Sequence, residues 1–280
     1  AILCARGAVA AGAGLVTVAV PERIQDVVAN AVPPAMTVGL DDTAGVVAPS
    51  AAATVAELAA GSDAVVAGPG MTPAKGTREV VDVVLEGPAR VVLDADALNV
   101  FRDDGSALAH HTSELVLTPH MRELARIGPY DDADDAWDRR AASLPAFAAG
   151  QAATIVAKGP GTLVAAHDGR VWVTPTGGPA LATGGSGDVL AGAVAAAVAR
   201  ADDVAAAVAR ACWWHGLAGQ IAGAAAGDLP GSEDIAAALP DAVGLTARLA
   251  RVRPRWPFDP PGWRAGRTPP MIPELERSRP

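Results

Sequence analysis

Residues 63–99 read DAVVAGPGMTPAKGTREVVDVVLEGPARVVLDADALN. DAVVAG is an apolar run that stops in the turn residues Gly68, Pro69 and Gly70. KGTREVVDVVLE then has the character of a helix, and RVVLD is a second apolar run. Strand, helix and strand in succession make a βαβ unit. Runs that are apolar at every position suit strands buried on both faces.

The same rhythm extends outward. LVTVA (15–19), AMTVGL (35–40), ELVLT (114–118) and TIVAKG (154–159) read as further strands. ERIQDVVANA and DDAWDRRAASLPAFAAG read as helices between them. This predicts an α/β fold, a central, mostly parallel sheet with helices on both faces. After Gly159 the pattern changes to TLVAAHDGRVWVT, two short strands about an Asp168-Gly169 turn. A helix from about Asp188, a long helix containing Trp213, Trp214 and His215, and a last helix over 232–250 complete the core. The division expected is one domain over 1–250 and a Pro/Arg-rich tail over 251–280 whose composition suits disorder.

Half of the 280 residues are hydrophobic and only 4% are aromatic, so small side chains must pack closely. The net charge of −9 without a basic stripe argues against nucleic acid. No apolar run is long enough to span a bilayer, and Cys4 and Cys212 form no metal spacing. These features suit a cytoplasmic protein with buried thiols. The chain starts at Ala1 without a methionine and is helical at once, which suggests a missing N-terminal segment.

Ligands of open α/β sheets bind beyond the carboxyl ends of the strands. Four strands run out into GPGM (68–71), LDADALN (93–99), TPHMRE (118–123) and KGPGT (158–162). A fifth cluster is ALATGGSGDVLAG (180–192), three glycines and a serine opening a helix. Backbone amides of Gly185, Ser186 and Gly187 there make an anion hole aided by the helix dipole. Asp188 is either a helix N-cap or first-turn acid, or a base for a substrate hydroxyl. KGPGT offers a cation, a flexible backbone and a hydroxyl for phosphate or nucleotide. Asp94 ends an apolar strand, and a buried acid needs a partner or a cation. His215, Trp213 and Trp214 read as core residues.

Together and in this order, GPGM, VVLDADALN, LTPHMRE, AKGPGT and LATGGSGDVLAG resemble the ADP/ATP-dependent NAD(P)H-hydrate dehydratase family of the ribokinase-like superfold. The resemblance covers about 1–239. It implies ADP-dependent removal of water from hydrated NADH or NADPH, with AMP and phosphate as products. Asp188 would be the base and Gly187, with Gly185 and Ser186, would hold the transferred phosphate. Lys158, Gly159, Pro160, Gly161 and Thr162 would line the adenine nucleotide, ADP or ATP. Gly70 and His120 would contact the hydrated cofactor. Asp94, Asn99 and Glu123 would support Mg2+ or the phosphates. The resemblance also implies a homo-oligomer, a further strand and glycine-rich loop ahead of Ala1, and in many relatives an epimerase domain. The sequence departs from the family at Met121-Arg122, where Pro-Gly or Ala-Gly is usual, at Ser186 for Thr, and at Thr72 for Gly. Two other readings share these residues: a kinase of the same superfold acting on a vitamin-precursor hydroxyl, and a nucleotide-binding module without catalysis.

Overall fold

The computed structural model describes residues 1–102, 104–130, 137–227 and 229–251. The first half holds α1 (Ile2–Ala10), β1 (Thr17–Pro21), α2 (Gln25–Ala31), β2 (Met36–Leu40), β3 (Asp42–Thr43), β4 (Val46–Val47), α3 (Ala52–Ala60), β5 (Ala64–Ala67), α4 (Lys75–Leu85), β6 (Arg90–Leu93) and α5 (Asp96–Asn99). It continues with β7 (Leu115–Leu117), α6 (Met121–Ile127), α7 (Trp137–Gly150), β8 (Thr154–Ala157), β9 (Leu163–Ala165), β10 (Val171–Val173), α8 (Ser186–Val198), α9 (Val204–Ala226) and α10 (Ser232–Arg251).

Six strands form the main sheet in the order β10-β9-β8-β7-β6-β5. β5 to β8 run parallel in chain order, so their carboxyl ends share one edge. β9 and β10 are antiparallel additions about the expected hairpin. Among the described residues β1 and β2 pair only with each other, in parallel, instead of joining this sheet. The expected single sheet therefore takes in four of the six early strands, and the β3–β4 hairpin was not foreseen.

Alternation within each strand explains the two covered faces. Val92, Val116, Val156 and Val164 face α8, α9 and α10, meeting Val189, Val194, Val208 and Leu239. Val91, Leu93, Leu117 and Ile155 face the other way, against Val81, Leu98, Leu124 and Leu144 from α4 to α7. α1 lies against α8 so closely that a β-carbon on Gly192 would run into the Cys4 carbonyl. The scarcity of aromatics thus reflects backbones that touch. Arg6 of α1 is paired with Glu233 of α10 at 2.6 Å, tying that layer together. No helix among the described residues is long and apolar enough to cross a membrane. Of the expected 251–280 tail, everything after Arg251 lies outside the described residues.

Candidate active site

The four parallel strands deliver the residues beyond their ends to one edge, as the sequence anticipates. Asp94 directly follows β6; its amide donates to the Ala67 carbonyl at 3.1 Å and its side chain is buried. One strand over, the Thr118 amide donates to the Leu93 carbonyl at 3.0 Å. Beyond the ends of β7 and β8, His120 and Lys158 form an isolated parallel bridge, and the Lys158 amide donates to Pro119 O at 2.9 Å. TPHMRE and KGPGT meet for that reason.

The turn after β5 is tight. Gly68 has φ 125°, and a β-carbon there would collide with the Asp94 carbonyl, so this position requires glycine. Thr72 and Ala95 hold left-handed φ values of 63° and 50° at the same edge. Such backbone costs on the order of 1–3 kcal/mol per residue and persists only where neighbours enforce it. Here they do. Asp96 accepts from the Thr72 amide at 3.0 Å, Asn99 Nδ2 donates to Asp96 at 3.3 Å, and Arg126 donates to Asn99 at 2.7 Å. Asn99 braces this turn, and Gly70 stands exposed at its tip.

His120 caps α6. Its Nδ1 accepts from the amides of Arg122 and Glu123 at 3.1 and 3.3 Å, while Glu123 accepts from the His120 amide at 2.8 Å. This is a reciprocal capping box. Both backbone bonds fall on Nδ1, so the proton of the neutral ring sits on Nε2, in a side chain 49% exposed. The cap explains how the loop tolerates Met121-Arg122: the turn is closed by side chains. Burial raises the Glu123 carboxyl above its ordinary range, opposed by Lys158.

The glycine loop corrects one detail of the sequence reading. α8 starts at Ser186, with Gly185 as its cap residue at φ 86° and no side-chain cap bond. Asp188 is therefore not the cap but an acid of the first turn, the other half of the structural alternative. Ser186 turns inward: its amide donates to Thr183 O at 3.3 Å and its hydroxyl to Leu181 O at 2.8 Å. Among the described residues the amides of Gly185, Gly187 and Asp188 carry no backbone bond, whereas that of Ser186 does, so Ser186 drops out of the expected Gly185–Gly187 donor set. The Asp188 carboxylate is half-buried and accepts no hydrogen bond from a described residue; burial raises its pKa, with Asp94 adding to the rise.

Lys158 Nζ reaches Asp94 Oδ1 at 2.7 Å and lies 3.9 Å from Glu123 Oε2. The rest of its loop is compact. Thr162 Oγ1 donates to Gly159 O at 3.0 Å, and Gly159, Pro160 and Gly161 are exposed. Trp137, read from the sequence only as part of a helix, donates from Nε1 to Gly161 O at 3.0 Å. No spacing rule brings the start of α7 to that loop. Cys4 and Cys212 are thiols pushed up to about 12 by burial, as expected of packing residues. Among the described residues no three His, Cys, Asp or Glu side chains gather as a metal cage. Asp94 is engaged by Lys158 and Asp96 by the Thr72 amide.

Residues 1–240 match the NAD(P)H-hydrate dehydratase family. The chain belongs to that family. It is 38% identical over 221 residues to the bifunctional NAD(P)H-hydrate repair enzyme Nnr of Gloeobacter violaceus, covering 79% of this chain and 42% of the relative. It is 33% identical over 222 residues to the ADP-dependent (S)-NAD(P)H-hydrate dehydratase of Xanthomonas campestris, covering 78% and 74%. Among solved structures it resembles the ADP/ATP-dependent NAD(P)H-hydrate dehydratase of Bacillus subtilis, crystallised with ATP and Mg2+. That match has a TM-score of 0.71 at 25% identity and covers 88% of this chain and 86% of that one. The chain thus spans less than half the length of the bifunctional relative.

Proposed function

We propose that this family member catalyses ADP-dependent dehydration of (S)-NAD(P)H-hydrate, restoring NADH or NADPH and releasing AMP and phosphate. One observation carries the reading. Asp188, an acid freed from any capping role, stands in the first turn of α8 beside unpaired amides at the positive end of the helix.

Hydroxide is a poor leaving group and phosphate a good one, so the ring hydroxyl must first be esterified. Asp188 takes the hydroxyl proton as that oxygen attacks the terminal phosphorus of ADP. A ring O–P bond forms, the anhydride P–O bond breaks, and its electron pair leaves with AMP. The ester C–O bond then breaks with its pair on phosphate, the neighbouring carbon releases a proton to solvent, and the ring double bond returns. Nothing is oxidised or reduced. Burial raises the Asp188 pKa, which makes its carboxylate a stronger base than an ordinary aspartate.

The amides of Gly187 and Asp188 receive the phosphoryl oxygens, as preorganised donors facing developing charge. His120 Nε2–H and the backbone at Gly70 meet the hydrated cofactor. Residues 159–162 take the adenine nucleotide. A magnesium ion bound with the nucleotide would supply charge neutralisation to the phosphates.

The test supplies hydrated NADH with ADP and follows return of the dihydropyridine absorbance together with AMP and phosphate. Dehydration leaves no phosphate ester behind. A stable ester, or no absorbance return, contradicts the reading.

A further inference from the structure

Asp94 is 1% exposed, and its carboxylate is paired with Lys158 at 2.7 Å. Burying two charges is costly, and a well-packed apolar pair of similar volume is often as stable or more so. Stability is therefore a weak reason for the pair, and the position of the ammonium suggests another. Lys158 leaves the end of β8 and points across the sheet edge to α8. A β-carbon on Gly187 would stand only 3.2 Å from Nζ. A cation is thus set at the positive end of a helix, where the dipole repels it. The ammonium thus stands beside Gly187, whose amide and that of Asp188 carry no backbone bond, and donors of both kinds at one helix start favour an anion there. Asp94 and Glu123 hold the cation in place meanwhile, and the Asp188 carboxylate lies within electrostatic reach of it.

We propose that Asp94 is a positioning residue: it holds Lys158 against the phosphoryl group being transferred, so that Lys158 serves the terminal phosphate of the nucleotide and not its adenosine half. This rests on the phosphoryl-transfer step proposed above. It also removes Asp94 from the supporters of magnesium.

The assignment is tested by binding, without the hydrated cofactor. Affinities for ADP and AMP are measured by calorimetry on the parent, Lys158→Met and Asp94→Asn. One charge-assisted contact corresponds to a loss of roughly 10- to 100-fold. Lys158→Met raises the ADP Kd by that factor and leaves the AMP Kd within about threefold. Asp94→Asn lowers the ADP preference in the same direction. Equal losses for ADP and AMP, or an unchanged ADP Kd, overturn the assignment; a pair that is only structural moves the melting temperature and not this ratio. Asp94→Asn alone leaves Lys158 without its partner and is at risk of unfolding. The double variant Asp94→Asn/Lys158→Met removes both charges and binds ADP no worse than Lys158→Met. A further loss in the double variant gives Asp94 a ligand role of its own and overturns the proposal. A parent that prefers ADP through Lys158 yet returns no NADH refutes the dehydratase reading alone.

Discussion

His215 Nε2 donates to the carbonyl oxygen of Ser186 at 2.9 Å, joining the middle of α9 to the first turn of α8. The ring is buried and serves as more than packing: it anchors the turn that carries Asp188. Burial pushes its pKa down to about 4 from 6.5, with the bond to Ser186 opposing the shift. The folded state then binds fewer protons than the unfolded chain between those values. The stability linked to this group is complete above pH 6.5 and lost as pH falls toward 4. A shift of that size amounts to about 3 kcal/mol. His215→Gln keeps a donor and cannot titrate. Its melting temperature falls less than the parent's between pH 6.5 and 4, and parallel profiles contradict the assignment.

Gly68 and Gly185 differ in what a methyl group would strike. At Gly185, with φ 86°, it meets the end of the Leu3 side chain, which can swing aside. At Gly68, with φ 125°, it meets the Asp94 backbone, which the sheet fixes. Denaturant melts should give a loss of about 1–2 kcal/mol for Gly185→Ala and at least about 3 kcal/mol for Gly68→Ala. The reverse order would mean that the Asp94 peptide yields easily.

Most of the architecture was legible because buried parallel strands must be apolar at every position. The runs at 64–67, 90–93, 115–117 and 154–157 all form strands of the main sheet. LVTVA carried the same signal, yet among the described residues β1 pairs only with β2, because composition does not specify a strand's neighbour. The shared edge was legible too, since chain order fixes which strand ends meet. The start of α8 was placed two residues late: the apolar run is the visible signal, while the helix begins on the polar turn before it. That Asn99 braces a turn and that Trp137 reaches Gly161 depend on hydrogen bonds between distant segments, and the inward turn of Ser186 on a local bond to Leu181 O within an irregular loop. No periodicity encodes such bonds.

Residues 252–280 contain few periodic apolar residues with which to share a core. Truncation after Arg251 should leave the melting temperature and nucleotide affinity within error of the parent. A fall of several degrees would show that the segment belongs to the domain.

Asp188→Asn decides the central claim. The change is nearly isosteric, and no cap is lost because Gly185 holds that position. Burial raises the Asp188 pKa, so the folded state binds more protons than the unfolded chain above the ordinary value of 3.8. Ionised Asp188 therefore costs stability as pH rises through that raised range, and the amide removes the cost. The account predicts a neutral-pH melting temperature equal to or above the parent's and an unchanged ADP affinity. Phosphate release from ADP with hydrated NADH should fall by about 100- to 10,000-fold, the usual worth of a positioned base. A folded variant that releases phosphate at the parent's rate would contradict it.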